Sequence, residues 1–110
     1  MPLAAFIAHH KLLIASWGLL FATDVMDAHS SMRPGLYETN PVLAHGGHYT
    51  AMSAFQETSG VVVAIGIESL LMRKHHLPNE RAVTFGNLAY TGYIGAEAIH
   101  NMRIVIPPAP

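Results

Sequence analysis

Apolar positions gather in three long runs, separated by polar stretches rich in turn residues. The first begins "LLIASWGLLFAT" and extends from about Leu12 to His29. The second, centred on "GVVVAIGI", extends from about Ala51 to Met72, and the third from about Arg81 to Arg103. At about 1.5 Å per residue, each run reaches roughly 27 to 35 Å as a helix, close to a hydrocarbon core of about 30 Å. The pattern predicts an all-α fold: an integral membrane three-helix bundle occupying residues 1–110 as one domain, with a structured loop between its first and second helices. The competing architecture is a soluble bundle of three or four helices, because acids interrupt every run before about 18 uncharged residues accumulate.

Local signals mark the ends of these runs. Ser53 and Gln56 in "SAFQ" have capping-box spacing, and Thr50 is an equally good cap. Asn79 before Glu80 opens the third run with an acid in its first turn, and Pro78 stops whatever precedes it. Between the first two runs, "SSMRPGLYETNPVLAHGGHY" carries Pro-Gly, Asn-Pro and Gly-Gly pairs. They predict an ordered loop with one short helical turn, capped by Asn40 and begun by Pro41. The tail "IPPAP" cannot continue a helix.

Composition strengthens the membrane expectation: 51% of residues are hydrophobic and only 12% are charged, about half the usual charged fraction. With a net charge of -1 and no basic run longer than Arg73-Lys74, nucleic-acid binding is excluded as a function class. The chain has no cysteine, so any metal site must use His, Asp or Glu. "MPLAAFIA" precedes His9-His10-Lys11, the reverse of the charge order in a secretory leader, and cleavage is not expected.

Three spans place Lys11, Arg73, Lys74 and Arg81 on one side and Arg33 and Arg103 on the other, which predicts an N-terminus inside. The same topology brings polar groups to one outer depth: Asp24 and Asp27 late in the first span, Glu57 early in the second, Glu97 and His100 late in the third. At about 100° per residue, Glu57, Gly60, Ala64 and Glu68 share one face, while Asn87, Tyr90, Tyr93, Glu97, His100 and Asn101 form a stripe. Gly60 and Ala64 have the spacing that lets another backbone approach closely. Glu68 lies toward the opposite end, where Arg73 and Lys74 are its expected partners.

Ionisable groups at membrane depth usually face a bundle interior and mark function. "EAIH" places Glu97 and His100 on one helical face, as in carboxylate-bridged di-metal bundles, and Asp24 with Asp27 repeats that spacing. With Glu57 and His29 they form a candidate site for a divalent metal, Fe, Mn or Zn, since oxygen and nitrogen donors suit these ions. The alternative is a structural network among Asp24, His100, Asn101 and the loop. His45 and His48 are expected to be exposed, with an alternative as extra ligands, and His9-His10 and His75-His76 to be solvated. An enzymatic role would place a metal-bound water near Tyr90 or Tyr93. The expected partners are the lipid membrane and either a second copy of the chain, as a homo-oligomer, or partner membrane subunits. The second function class is an accessory or assembly subunit without its own catalysis.

The residues also resemble an uncharacterised family of small three-helix membrane proteins. Its pattern has an Asp ending the first helix, a Gly-x-x-Glu-x-Asn-Pro loop, and an Asn late in the last helix. Here the matching positions are Asp24 or Asp27, then Gly35, Glu38, Asn40 and Pro41 in "GLYETNP", and Asn101. The resemblance implies a membrane location and a loop packed back on the helices, with Glu38 and Asn40 part of the polar layer. It implies no reaction, and Glu57, Glu97 and the paired histidines lie outside the pattern.

Overall fold

A computed structural model describes residues 2–38, 40–74 and 79–104 of the chain. The expectations for His75-His76, Pro78 and the "IPPAP" tail lie outside the described residues. In chain order the elements are α1 (Leu3–His9), α2 (Lys11–Ser31), β1 (Ala44–His45), β2 (His48–Tyr49), α3 (Ala51–Arg73) and α4 (Glu80–Arg103).

The central helix is α2. Leu13, Ser16, Leu20, Asp24 and Ala28 are all buried, and their spacing of three and four residues makes them a single face. Against that face α4 runs parallel: Asn87 meets Ser16, and Asn101 meets Ser31. Helix α3 runs antiparallel to α2, bringing Thr58 to Asp24, and packs on it less extensively than α4 does. Leu20, Val61 and Ile94 form the apolar centre where the three helices meet, with Ile65 packed against it.

Capping follows the sequence signals closely. Thr50 caps α3 in a reciprocal pair with Ser53: the Thr50 hydroxyl accepts from the Ser53 N–H, and the Ser53 hydroxyl accepts from the Thr50 N–H. Asn79 caps α4 by accepting from the Ala82 N–H at 3.1 Å. Arg33 closes the other end of α4, donating through Nη1 to the Asn101 carbonyl at 2.5 Å.

The expected all-α membrane three-helix bundle requires correction. The chain has a fourth helix and a two-stranded hairpin, and α1 is bent by 88° from α2. Among the described residues, α3 alone is by itself long and apolar enough to cross a membrane, while α1 and α2 meet the criterion only as a broken pair. The long apolar runs do become helices, within two residues of the expected ends. Several polar and charged groups, among them Glu80, Arg81, Asn87, Glu97 and Arg103, dilute α4 below what a span needs.

Apolar side chains nevertheless cover much of the exterior. Phe55, Val63, Ile67 and Leu70 of α3 and Phe85 of α4 are all more than half exposed. A slender three-helix core cannot cover them, so this surface differs from that of an ordinary monomeric domain.

Candidate functional site

The connection from α2 to α3 builds one wall of the site. Gly35, at φ 91, turns the chain after Pro34. The Glu38 N–H donates to the Gly47 carbonyl at 2.8 Å, and the Glu38 carboxylate accepts from the Asn40 N–H at 2.8 Å. Asn40 then holds a single turn, its side-chain oxygen accepting from the Val42 N–H and its carbonyl from the N–H groups of Leu43 and Ala44.

After this turn comes the hairpin, in which Ala44 pairs with Tyr49 and His45 with His48. Its two loop residues, Gly46 at φ 66 and Gly47 at φ 80, make a turn of the type whose twist suits a two-residue hairpin and which favours glycine at both positions. Because strand side chains alternate, His48 points outward and stacks on Tyr37 with ring centroids 4.7 Å apart, whereas Tyr49 points inward and is buried. His45 lies 3.1 Å from the Gln56 side chain. Both histidines are exposed, as expected, and neither lines the cavity.

Three carboxyl groups meet beside Tyr49. Asp24 is fully buried at 0% exposure; its Oδ2 accepts from the Thr58 hydroxyl at 2.8 Å. Its Oδ1 has no hydrogen-bond donor among the described residues. The Glu57 carboxylate accepts from the Tyr49 hydroxyl, and the carboxyl groups of Asp24 and Asp27 lie close to it. Asp27 in turn accepts from the Asn101 side-chain amide at 3.3 Å, and the same amide donates to the Ser31 hydroxyl at 3.0 Å. Burial, reinforced by the Glu57 carboxylate it bonds, pushes the Tyr49 phenol well above its ordinary value. The phenol therefore stays protonated and a donor across the physiological pH range.

Asp27, Glu57 and Tyr49 of this cluster line one side of a cavity of about 510 Å³, whose wall does not include the buried Asp24. Asp27, Glu38 and Glu57 lie along the wall formed by α2, the loop and α3, while Glu97, His100 and the stacked pair Tyr90 and Tyr93 belong to α4. Among the described residues, acids outnumber the single imidazole in this wall, and no lysine or arginine lines it. A nearby cation, Arg33, is engaged by the end of α4. The cavity is therefore electronegative, with aromatic faces close to its carboxylates.

The six residues expected to ligate a metal are distributed unevenly. Asp24, Asp27 and Glu57 are brought together, and Glu97 and His100 line the same cavity on α4. His29 is exposed and does not line the cavity, because two residues along a helix rotate it well away from Asp27. Among the described residues, no three His, Asp or Glu side chains are arranged to hold a metal ion. Glu38 and Asn40 line the cavity wall, where the loop packs back on the helices.

Two other expectations change. Glu68 takes Asn87 as its partner, at 3.0 Å, in place of Arg73 or Lys74. Gly60 and Ala64 are exposed, and a Cβ added at Gly60 would touch nothing, so no helix of this chain uses that close approach. Sequence reasoning missed Tyr37, Tyr49 and Thr58. The inward side of a Gly-Gly hairpin was the available signal for Tyr49.

Comparison with protein-family models, curated proteins and solved structures gives no match for this chain.

Proposed function

We propose that the protein sits at a lipid membrane, N-terminus inside, and holds a small organic cation in the cavity between its helices and hairpin. The observation that carries this reading is the cavity wall, where Asp27, Glu38, Glu57 and Glu97 meet no lysine or arginine among the described residues, with the buried Asp24 and its donor-less oxygen next to Glu57. A buried carboxylate without a compensating charge costs several kcal/mol, by an order-of-magnitude estimate. A cation entering beside Asp27 and Glu57 offsets that cost.

The shape of the site favours an organic cation over a metal ion. Metal ligation needs donor atoms arranged around one point, and the acids that meet here do not offer that arrangement among the described residues. A volume of about 510 Å³ suits a small molecule. Tyr37, Tyr49, Tyr90 and Tyr93 line the cavity, and aromatic rings attract the positive charge of an alkylammonium group. Exposed apolar side chains on α3 and α4 support the membrane location, and Lys11, Arg73, Lys74 and Arg81, all exposed and remote from the cavity, support the orientation.

Calorimetric titration of the detergent-solubilised chain tests the proposal, with tetramethylammonium and butylammonium as probes. Saturable binding that is lost in Asp27→Asn and Glu57→Gln is the expected result. Binding of neither probe, or binding of manganese alone, overturns it.

A second reading has its own observation. Gly18, Gly60, Gly86 and Gly92 all lie within helices, and a Cβ at any of them would meet nothing. Each costs about 1 kcal/mol of helix stability relative to alanine. A second copy or partner membrane helices lying against these positions would use the space they leave, which is the accessory-subunit role. Cross-linking in native membranes that yields a defined adduct, lost when Gly60 and Gly86 are replaced by leucine, supports this reading; a monomer only defeats it.

A further inference from the structure

A second cavity, of about 560 Å³, lies at the opposite end of the molecule, in the elbow where α1 leaves α2 and the start of α4 passes beside them. We infer that this elbow binds an anionic phospholipid, its phosphate at Lys11 and Arg81 and an acyl chain along Leu12, Phe85 and Leu88. This inference rests on the membrane location proposed above and is independent of what occupies the carboxylate cavity.

The local chain explains the geometry. At the break between the two helices, His10 leaves helical geometry at φ -123. Its Nδ1 lies 2.7 Å from the Glu80 carboxylate, which ties the elbow to the first turn of α4. Among the described residues Glu80 is the one carboxylate in the cavity wall, and this contact engages it. Lys11 and Arg81 are both exposed on the same wall, with no ion pair of their own among the described residues. The walls beneath them are apolar and open: Leu12 is 77% exposed and Phe85 74%. A phosphate beside two cations, with hydrocarbon against the adjoining leucines and phenylalanine, fits this division of the wall.

The direction of α1 points to a lipid over a free phosphate. No residue of α1 is buried, and Leu3 and Ile7 are exposed along it. The 88° bend turns α1 away from the axis of α2 and leaves it as a short exposed apolar helix, the kind that rests at a headgroup boundary. Arg73 and Lys74 lie at this end as well, as the cytoplasmic, anionic leaflet favours.

Native mass spectrometry of the full chain in non-ionic detergent tests the inference, with phosphatidylglycerol, phosphatidylcholine and glycerol phosphate as separate probes. Phosphatidylglycerol is expected to bind stoichiometrically, with phosphatidylcholine weaker and glycerol phosphate not displacing it. Each cation removed should weaken phosphatidylglycerol about fivefold, so Lys11→Gln with Arg81→Gln gives roughly a 25-fold loss. Arg73→Gln with Lys74→Gln, an equal charge change outside the elbow, should leave binding within a few fold. Circular dichroism checks that both double variants remain helical. Equal retention of the two lipids, or equal losses in the two double variants, overturns the elbow site and leaves the membrane location standing. Displacement by glycerol phosphate replaces the lipid with a free phosphate and likewise overturns it. A chain that stays soluble without detergent and floats with no vesicle overturns both readings.

Discussion

The bundle has two polar layers on either side of Leu20, Val61 and Ile94, and they use similar chemistry to opposite ends. Toward the elbow, the Asn87 amide donates to the Ser16 hydroxyl at 3.1 Å and to the Glu68 carboxylate at 3.0 Å, and the Ser16 hydroxyl donates to the Leu13 carbonyl at 2.6 Å. One amide thus joins all three long helices, each group having a partner. Toward the hairpin, Asp24, Asp27 and Glu57 share too few donors, and an oxygen of Asp24 is left over. A satisfied buried network fixes packing, whereas an unsatisfied one open to a cavity retains attraction for something else. The inner layer reads as structure and the outer one as a site.

The comparison depends first on the apolar layer that keeps the two apart. Leu20→Ala should cost about 3 kcal/mol, the usual loss when a buried leucine leaves a cavity, measured by denaturant unfolding of the helical signal in detergent. Cation binding at the outer layer should weaken with it, because Val61 and Ile94 would lose the surface that spaces α3 and α4. A loss below about 1 kcal/mol would mean that the helices are held chiefly by their ends.

Next in size is Asn87→Ala. It leaves the Glu68 carboxylate without its amide donor and should destabilise the fold by about 2 kcal/mol, since hydrogen bonds to charged groups are among the stronger ones. Titration with alkylammonium should be unchanged. Asp24→Asn should act in the reverse sense. It keeps an acceptor for Thr58, supplies a donor toward Glu57 and removes one of three crowded acids, so the fold should gain about 1 kcal/mol while cation affinity falls. Destabilisation by Asp24→Asn, with binding intact, would erase the distinction between the layers.

Legibility in the sequence divides along similar lines. Helices α2, α3 and α4 were legible because apolar runs, caps and turn residues are local signals, and Thr50, Asn79 and Asn40 act where such signals place them. The shared depth of Asp24, Asp27 and Glu57 was also legible, since antiparallel helices of known length fix it. The facing of individual side chains was less so. His29 follows the Asp pair in sequence yet turns outward, and Gly60 sits one residue from the buried Val61 yet faces away from the core. Tyr49 and Thr58 depend on where a hairpin lands against α3, a nonlocal outcome. The bend at His10 carries no proline or glycine to announce it. Its contact with Glu80 joins residues seventy positions apart.

The smallest test concerns the lip of the outer cavity. Arg33 donates to the Asn101 carbonyl in the last turn of α4, where carbonyl groups lack helical partners and a positive charge is favoured. Asn101 is also the residue whose side chain reaches Asp27 and Ser31, so Arg33 positions the donor that one of the three acids relies on. Arg33→Gln keeps a donor of shorter reach and removes the charge. The stability loss should be only about 0.5 kcal/mol, as for a single charge at a helix end. Binding should respond differently, because removing a positive charge near the carboxylates deepens their field. Alkylammonium affinity should therefore rise slightly, by about twofold for a gain of about 0.4 kcal/mol, as long as Asn101 keeps its place. A fall in affinity would show instead that the Arg33 contact orders the cavity wall, making the outer layer more structural than its unpaired oxygen implies.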